Sequence, residues 1–62
     1  MNKPTVYIIG EDANIFGIIA LACQALRANG QIVQSSEMQD RVYKSGSYAK
    51  ALSIISEYVD FE

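Results

Sequence analysis

The chain has 62 residues, with five basic and seven acidic side chains, one cysteine, and neither histidine nor tryptophan. One cysteine excludes an intramolecular disulfide framework, and one thiol without histidine leaves too few ligands for a structural zinc site. The missing histidine removes every Ser-His and Cys-His nucleophile pair, so no catalytic residue, metal or cofactor is expected and the chain does not read as an enzyme.

At 62 residues the chain reads as a single small domain spanning 1–62. Such a domain buries only about 60% of the surface its unfolded chain exposes, so one core carries its stability. Half the residues are apolar against 19% charged, a globular composition. A net charge of −2 and a pI near 4.8 disfavour nucleic acid as a partner, because a backbone-directed grip needs clustered cations. Lys3 and Pro4 precede a short apolar run ending at Gly10, which is not a signal-peptide pattern. The longest uncharged stretch, Ala13 to Leu26, is short of a bilayer span. No membrane association and a cytoplasmic location are the expectations.

Thr5-Val6-Tyr7-Ile8-Ile9 is β-branched and aromatic, lies between Pro4 and Gly10, and reads as a strand. Its lack of strict alternation suits a strand covered on both faces or lying at a subunit interface. Gly10-Glu11-Asp12-Ala13-Asn14 then forms a turn, with Asp12 or Asn14 placed to cap the following helix. That helix runs from Ala13 or Ile15 to Asn29, closed by Gly30 as a left-handed residue. Ile15, Phe16, Ile18, Ile19, Ala22, Cys23, Ala25 and Leu26 fill one half of its wheel. An arc of roughly 180° is wider than one packing partner requires. The other half carries Arg27 as its single charge.

Gln31 to Gln34 reads as a linker with Ile32 and Val33 tucked into the core. Ser35 or Ser36 caps a second helix running to Lys44 or Ser45, and Ser36 with Gln39 has the capping-box spacing. Met38 and Val42 form its narrow apolar stripe, with Tyr43 beside it. Glu37–Arg41 and Asp40–Lys44 are i,i+4 pairs with the acid first. Gly46 ends this helix and Ser47 caps a third, which buries Tyr48, Ala51, Leu52, Ile55 and Val59 and exposes Lys50, Ser53 and Glu57. Residues 58–62 alternate polar and apolar and fit either the last turn of that helix or a short second strand; the strand is favoured, because a lone strand has nothing to pair with. The fold class is α+β, in the order β-α-α-α-β: a two-stranded sheet covered by three helices. Its open strand edges invite extension to four strands in a dimer.

Three places could carry chemistry. The turn Gly10, Glu11, Asp12 and Asn14 has the strand–glycine–helix layout of phosphate sites, but it lacks G-x-G-x-x-G and carries two acids. Its oxygens could take a hard cation, and ordinary helix capping explains the same residue types. The second and third helices could form a helix-turn-helix around Ser45-Gly46-Ser47; the surface of the third shows one base and one acid, which is not an electrostatic footprint for DNA. Tyr7, Ile9, Tyr43 and Phe61 are candidate interface contacts, since aromatic side chains are enriched at interface cores. Cys23 sits on the apolar arc and reads as a small core residue.

Ile9-Gly10-Glu11-Asp12-x-Asn14-x-Phe16, then Ala25-Leu26, Ser45-Gly46-x-Tyr48 and Tyr58-Val59 resemble a family of short uncharacterised proteins of bacteria and their phages or mobile elements. Ala13 stands where that pattern has glycine. The resemblance implies a small cytoplasmic accessory protein and carries over no catalytic or binding residue. Sequence and resemblance together point to a non-enzymatic interaction protein that associates with itself, a dimer being favoured, or with another protein.

Overall fold

A computed structural model of the chain describes residues 3–8 and 14–62. Strand β1 (Thr5–Val6) leads through helices α1 (Ile15–Ala28), α2 (Ile32–Tyr43) and α3 (Tyr48–Ser56) to strand β2 (Asp60–Phe61). The order is the β-α-α-α-β expected, and residues 58–62 do supply the second strand. The two strands pair in parallel, Thr5 opposite Asp60 and Val6 opposite Phe61. Parallel neighbours cannot be joined by a tight turn; here the whole three-helix layer is the crossover. The ladder continues past the strand ends: Asp60 donates to the Pro4 carbonyl, Glu62 to Val6 and Ile8 to Glu62, at 2.9, 2.9 and 3.1 Å.

α1 is the central helix and packs on α2, α3 and β1. Asn14 caps it, its side-chain oxygen accepting the Gly17 amide at 2.9 Å. At the other end the Gln31 amide donates to Leu26 and the Gly30 amide to Arg27, at 2.8 and 3.1 Å. These are the two bonds of a Schellman motif, and Gly30 supplies the left-handed φ of +76° that the motif needs. Ile18, Ile19, Ala22, Cys23 and Leu26 bury the inner face of α1. They meet Met38 and Val42 of α2, Ala51 and Ile55 of α3, and Val6 and Val59 from the strand side.

The second helix departs from expectation at its start. It begins at Ile32, with Gln31 as cap residue and no side-chain cap bond, so Ser35 and Ser36 lie inside the helix and the Ser36–Gln39 capping box is not the start signal. The Schellman turn already reverses the chain and delivers it in helical register, as the Ser35 amide bonded to the Gln31 carbonyl shows. Ile32 and Val33 are consequently 62% and 74% exposed rather than core. The buried positions of α2 are Ser35, Met38 and Val42; at 100° per residue Val33 stands about 160° round the helix from Ser35. Ser45 back-bonds the Val42 carbonyl at 2.7 Å, Gly46 turns the chain at φ +76°, and Ser47 caps α3 by accepting the Lys50 amide at 3.1 Å. Tyr48, expected in the core, stands half exposed on the first turn of α3.

Ser35 is fully buried and, among the described residues, its hydroxyl has no hydrogen-bond partner. Burying an unpaired hydroxyl costs about 1–3 kcal/mol. Ser35→Ala should therefore raise the stability of the fold by about 1 kcal/mol, read as a higher urea midpoint. Gly30→Ala should lower it by about 1–2 kcal/mol. No atom lies within 4 Å of the Cβ it would add, so that loss would be a pure backbone effect.

Candidate functional site

Gly10, Glu11 and Asp12 of the candidate ligand turn, and the interface candidate Ile9, lie outside the described residues. Asn14 is described, and its side-chain oxygen is engaged by the Gly17 amide as the cap of α1. Among the described residues no group of three or more acidic, cysteine or histidine side chains is placed to hold a metal ion, and no helix is long and apolar enough to cross a membrane. Cys23 is buried on the inner face of α1.

The polar side chains of the helical layer are largely occupied with one another. Arg41 of α2 crosses to Glu57, just beyond α3, in a bidentate pair of 2.8 and 3.0 Å. The same guanidinium donates to the Tyr58 hydroxyl at 3.1 Å, with its central carbon 5.7 Å from the Tyr58 ring centroid. Tyr58 in turn donates to Glu37. The expected Glu37–Arg41 pair along one helix is thus replaced by a cross-helix network in which both residues reach the end of α3. A fork-shaped donor prefers two carboxylate oxygens held at one place over an exposed neighbour one turn away. Asp40–Lys44 does form, at 3.0 Å. Lys3 donates to the Ser56 carbonyl at 3.0 Å, at the C-terminal end of α3, where a cation complements the free carbonyls.

The Arg41 bonds hold the Glu57 carboxyl below the usual carboxylate range and raise the Arg41 guanidinium further still. Burial pushes the Tyr58 phenol up, and its bond to Glu37 adds to the rise. The network clamps α3 and the start of β2 to α2.

Large apolar side chains also stand on the open surface. Phe16, Tyr43 and Tyr48 are 74%, 70% and 50% exposed, and they converge between the start of α1 and the α2–α3 turn. There a groove of about 240 Å³ has Ile19, Val42 and Ala51 among its lining. A second groove of about 560 Å³ continues from Phe16 and Tyr43 between α1 and α2, past Cys23 to Arg27 and Gln39. A third, of about 430 Å³, lies between β1 and the outer side of α1 and shares Gln24 with the second. Of the interface candidates, Tyr43 sits on the joined grooves, Tyr7 is 68% exposed beside the third, and Phe61 is partly buried against the core. Sequence reasoning missed Phe16 and Tyr48 as surface residues. Phe16 lies at the edge of the apolar arc of α1, about 90° from the centre of its buried face, and that offset was the available signal.

Compared with models of protein families, with curated proteins and with solved structures, the chain matches none.

Glu57 is stabilised in its charged form by the fold, so its contribution is present at neutral pH and is lost as pH falls through its depressed pKa. The wild-type thermal midpoint should therefore fall more steeply on acidification than that of Glu57→Gln, the two curves converging at low pH. Parallel curves would refute the clamp.

Proposed function

We propose that the protein is a non-enzymatic accessory protein that works by binding, and that its first partner is a second copy of itself. One observation carries this reading: on a chain with 4082 Å² of accessible surface, six large hydrophobic side chains among the described residues are half or more exposed. Three of them, Phe16, Tyr43 and Tyr48, line one groove. Clustered apolar surface of that kind marks interaction sites on small proteins. The expected dimer, the cytoplasmic location and an accessory role in bacteria or their phages belong to this same proposal, the last two resting on the resemblance described above.

Two other readings have less support. A small-ligand or cation module at Gly10–Asn14 has only Asn14 among the described residues, and its amide oxygen already serves the helix. A DNA-binding reading of α2 and α3 needs free cations, and there Arg41 and Lys44 each hold a carboxylate.

Sedimentation equilibrium at rising protein concentration tests the proposal. The weight-average mass should climb from 6.8 kDa toward twice that value. A mass that stays at the monomer value up to high micromolar concentration would sink self-association.

A further inference from the structure

Resting on the self-association proposed above, the geometry points to one specific interface: β1 pairs with β1 of a second copy, antiparallel about a two-fold axis through Val6, giving a four-stranded sheet β2-β1-β1-β2.

Among the described residues, the backbone of β1 is used on one side only. Pro4, Val6 and Ile8 direct their groups to β2, so the intervening residues Thr5 and Tyr7 direct their amides and carbonyls the other way. Those groups have no partner among the described residues. An unpaired edge of this kind is a template for another strand. A two-fold axis at Val6 sets Thr5 of one copy opposite Tyr7 of the other, twice. Each such pair exchanges two N–H···O bonds, so four bonds form from groups that have no partner among the described residues of the monomer. Self-pairing about an axis is necessarily antiparallel, and this register places every outward group of Thr5 and Tyr7 against a complement.

Charge selects a second copy at this edge and excludes the other edge. From Pro4 to Ile8 the strand carries no ionisable group besides the Tyr7 phenol, so two chains of net charge −2 meet without opposed charges. The devices that usually protect an edge, an outward lysine or an outward proline, are missing from it; Pro4 faces β2. The outer edge of β2 is different. Pairing two β2 strands about Phe61 would set Asp60 against Glu62, a like-charge contact in each half. In addition, the outward amide of Val59 is already bonded to Ile55.

Space and shape agree. The groove of about 430 Å³ beside β1 is bounded by Thr5, Val6 and Tyr7 on one side and by Leu21, Gln24, Ala25 and Ala28 of α1 on the other, with no contribution from β2. It is the place a third strand would occupy. An axis normal to the sheet keeps the helices of both copies on one face. The outer side of α1, where Leu21 and Ala25 are half-buried and Ala28 is exposed, then faces its counterpart. Alanines there let two helices approach closely; Ala25 belongs to the apolar arc of α1, while Leu21 and Ala28 stand on the half of the wheel that carries Arg27 as its single charge, and this contact would cover them.

The test compares wild type with three variants by sedimentation equilibrium, each checked for an unchanged fold by circular dichroism. Tyr7→Pro removes one outward amide without touching the β1–β2 ladder. Ala28→Glu sets an acid on the exposed side of α1 in each copy. Phe16→Ser alters the aromatic groove, away from this edge. The expected result is a wild-type dimer whose dissociation constant rises about tenfold or more in Ala28→Glu and Tyr7→Pro and is unchanged in Phe16→Ser. Should Tyr7→Pro fail to fold, Ala28→Glu decides alone. A dimer that survives both edge variants, or that only Phe16→Ser dissociates, overturns this interface and leaves self-association standing. A wild type that is monomeric throughout overturns both.

Discussion

The parallel pairing of β1 with β2 is the constraint on which the rest depends. It joins the described segments farthest apart in sequence, and it can close only if the intervening chain returns to the same end of the sheet. Three helices make that return. Val6 and Val59, both buried, are where the strands enter the core the helices have built. The Lys3 contact to Ser56 and the Arg41 clamp on Glu57 fix the end of α3, and with it the point from which β2 departs. Two strands make a marginal sheet without cover; here the cover is supplied on one face by α1, and one backbone edge of β1 has no partner among the described residues.

Within the helical layer, α1 buries five residues, α2 three and α3 two. Only three residues of α2 are buried, and one of them is Ser35 with its unpaired hydroxyl. A helix held by so thin a stripe relies on its polar connections, which is where Arg41, Glu37 and Tyr58 enter. Surface salt bridges are worth little one by one, and this network matters chiefly for the orientation it imposes on α3 and β2. The same thinness leaves Tyr43, Ile32 and Val33 outside, so part of the exposed apolar surface follows from the economy of the second helix.

Much of this was legible from residue order. Glycine at 30 and at 46, asparagine at 14 and serine at 47 mark helix ends by local backbone chemistry, and each stands where the structure uses it. The second strand could be inferred because a single strand cannot satisfy its own backbone. The start of α2 could not be read, because the Schellman turn replaces the side-chain cap that normally announces a helix, and β-branched Ile32 and Val33 look like core in any local window. The partner of Arg41 was equally hidden: Glu37 is nearest in sequence, while Glu57 is nearest only after α3 has folded against α2. Of the candidate contact residues, Tyr7 and Tyr43 are on the surface as a contact residue must be. Phe16 and Tyr48 escaped notice because helical periodicity assigns a half-wheel to the core without saying where the partner helices end.

The parallel strand pair also shapes how the molecule comes apart. α1 packs on α2 and α2 on α3, neighbours in sequence whose contacts close short loops. The strand pair closes the longest loop in the chain for a handful of backbone bonds, and loop closure has to precede any gain from those bonds. The helical layer is thus the cooperative unit, and the sheet is a latch added to it. Opening the latch would release the Ile8, Asp60 and Glu62 amides with the rest of the strand ladder and uncover the two valines beneath it.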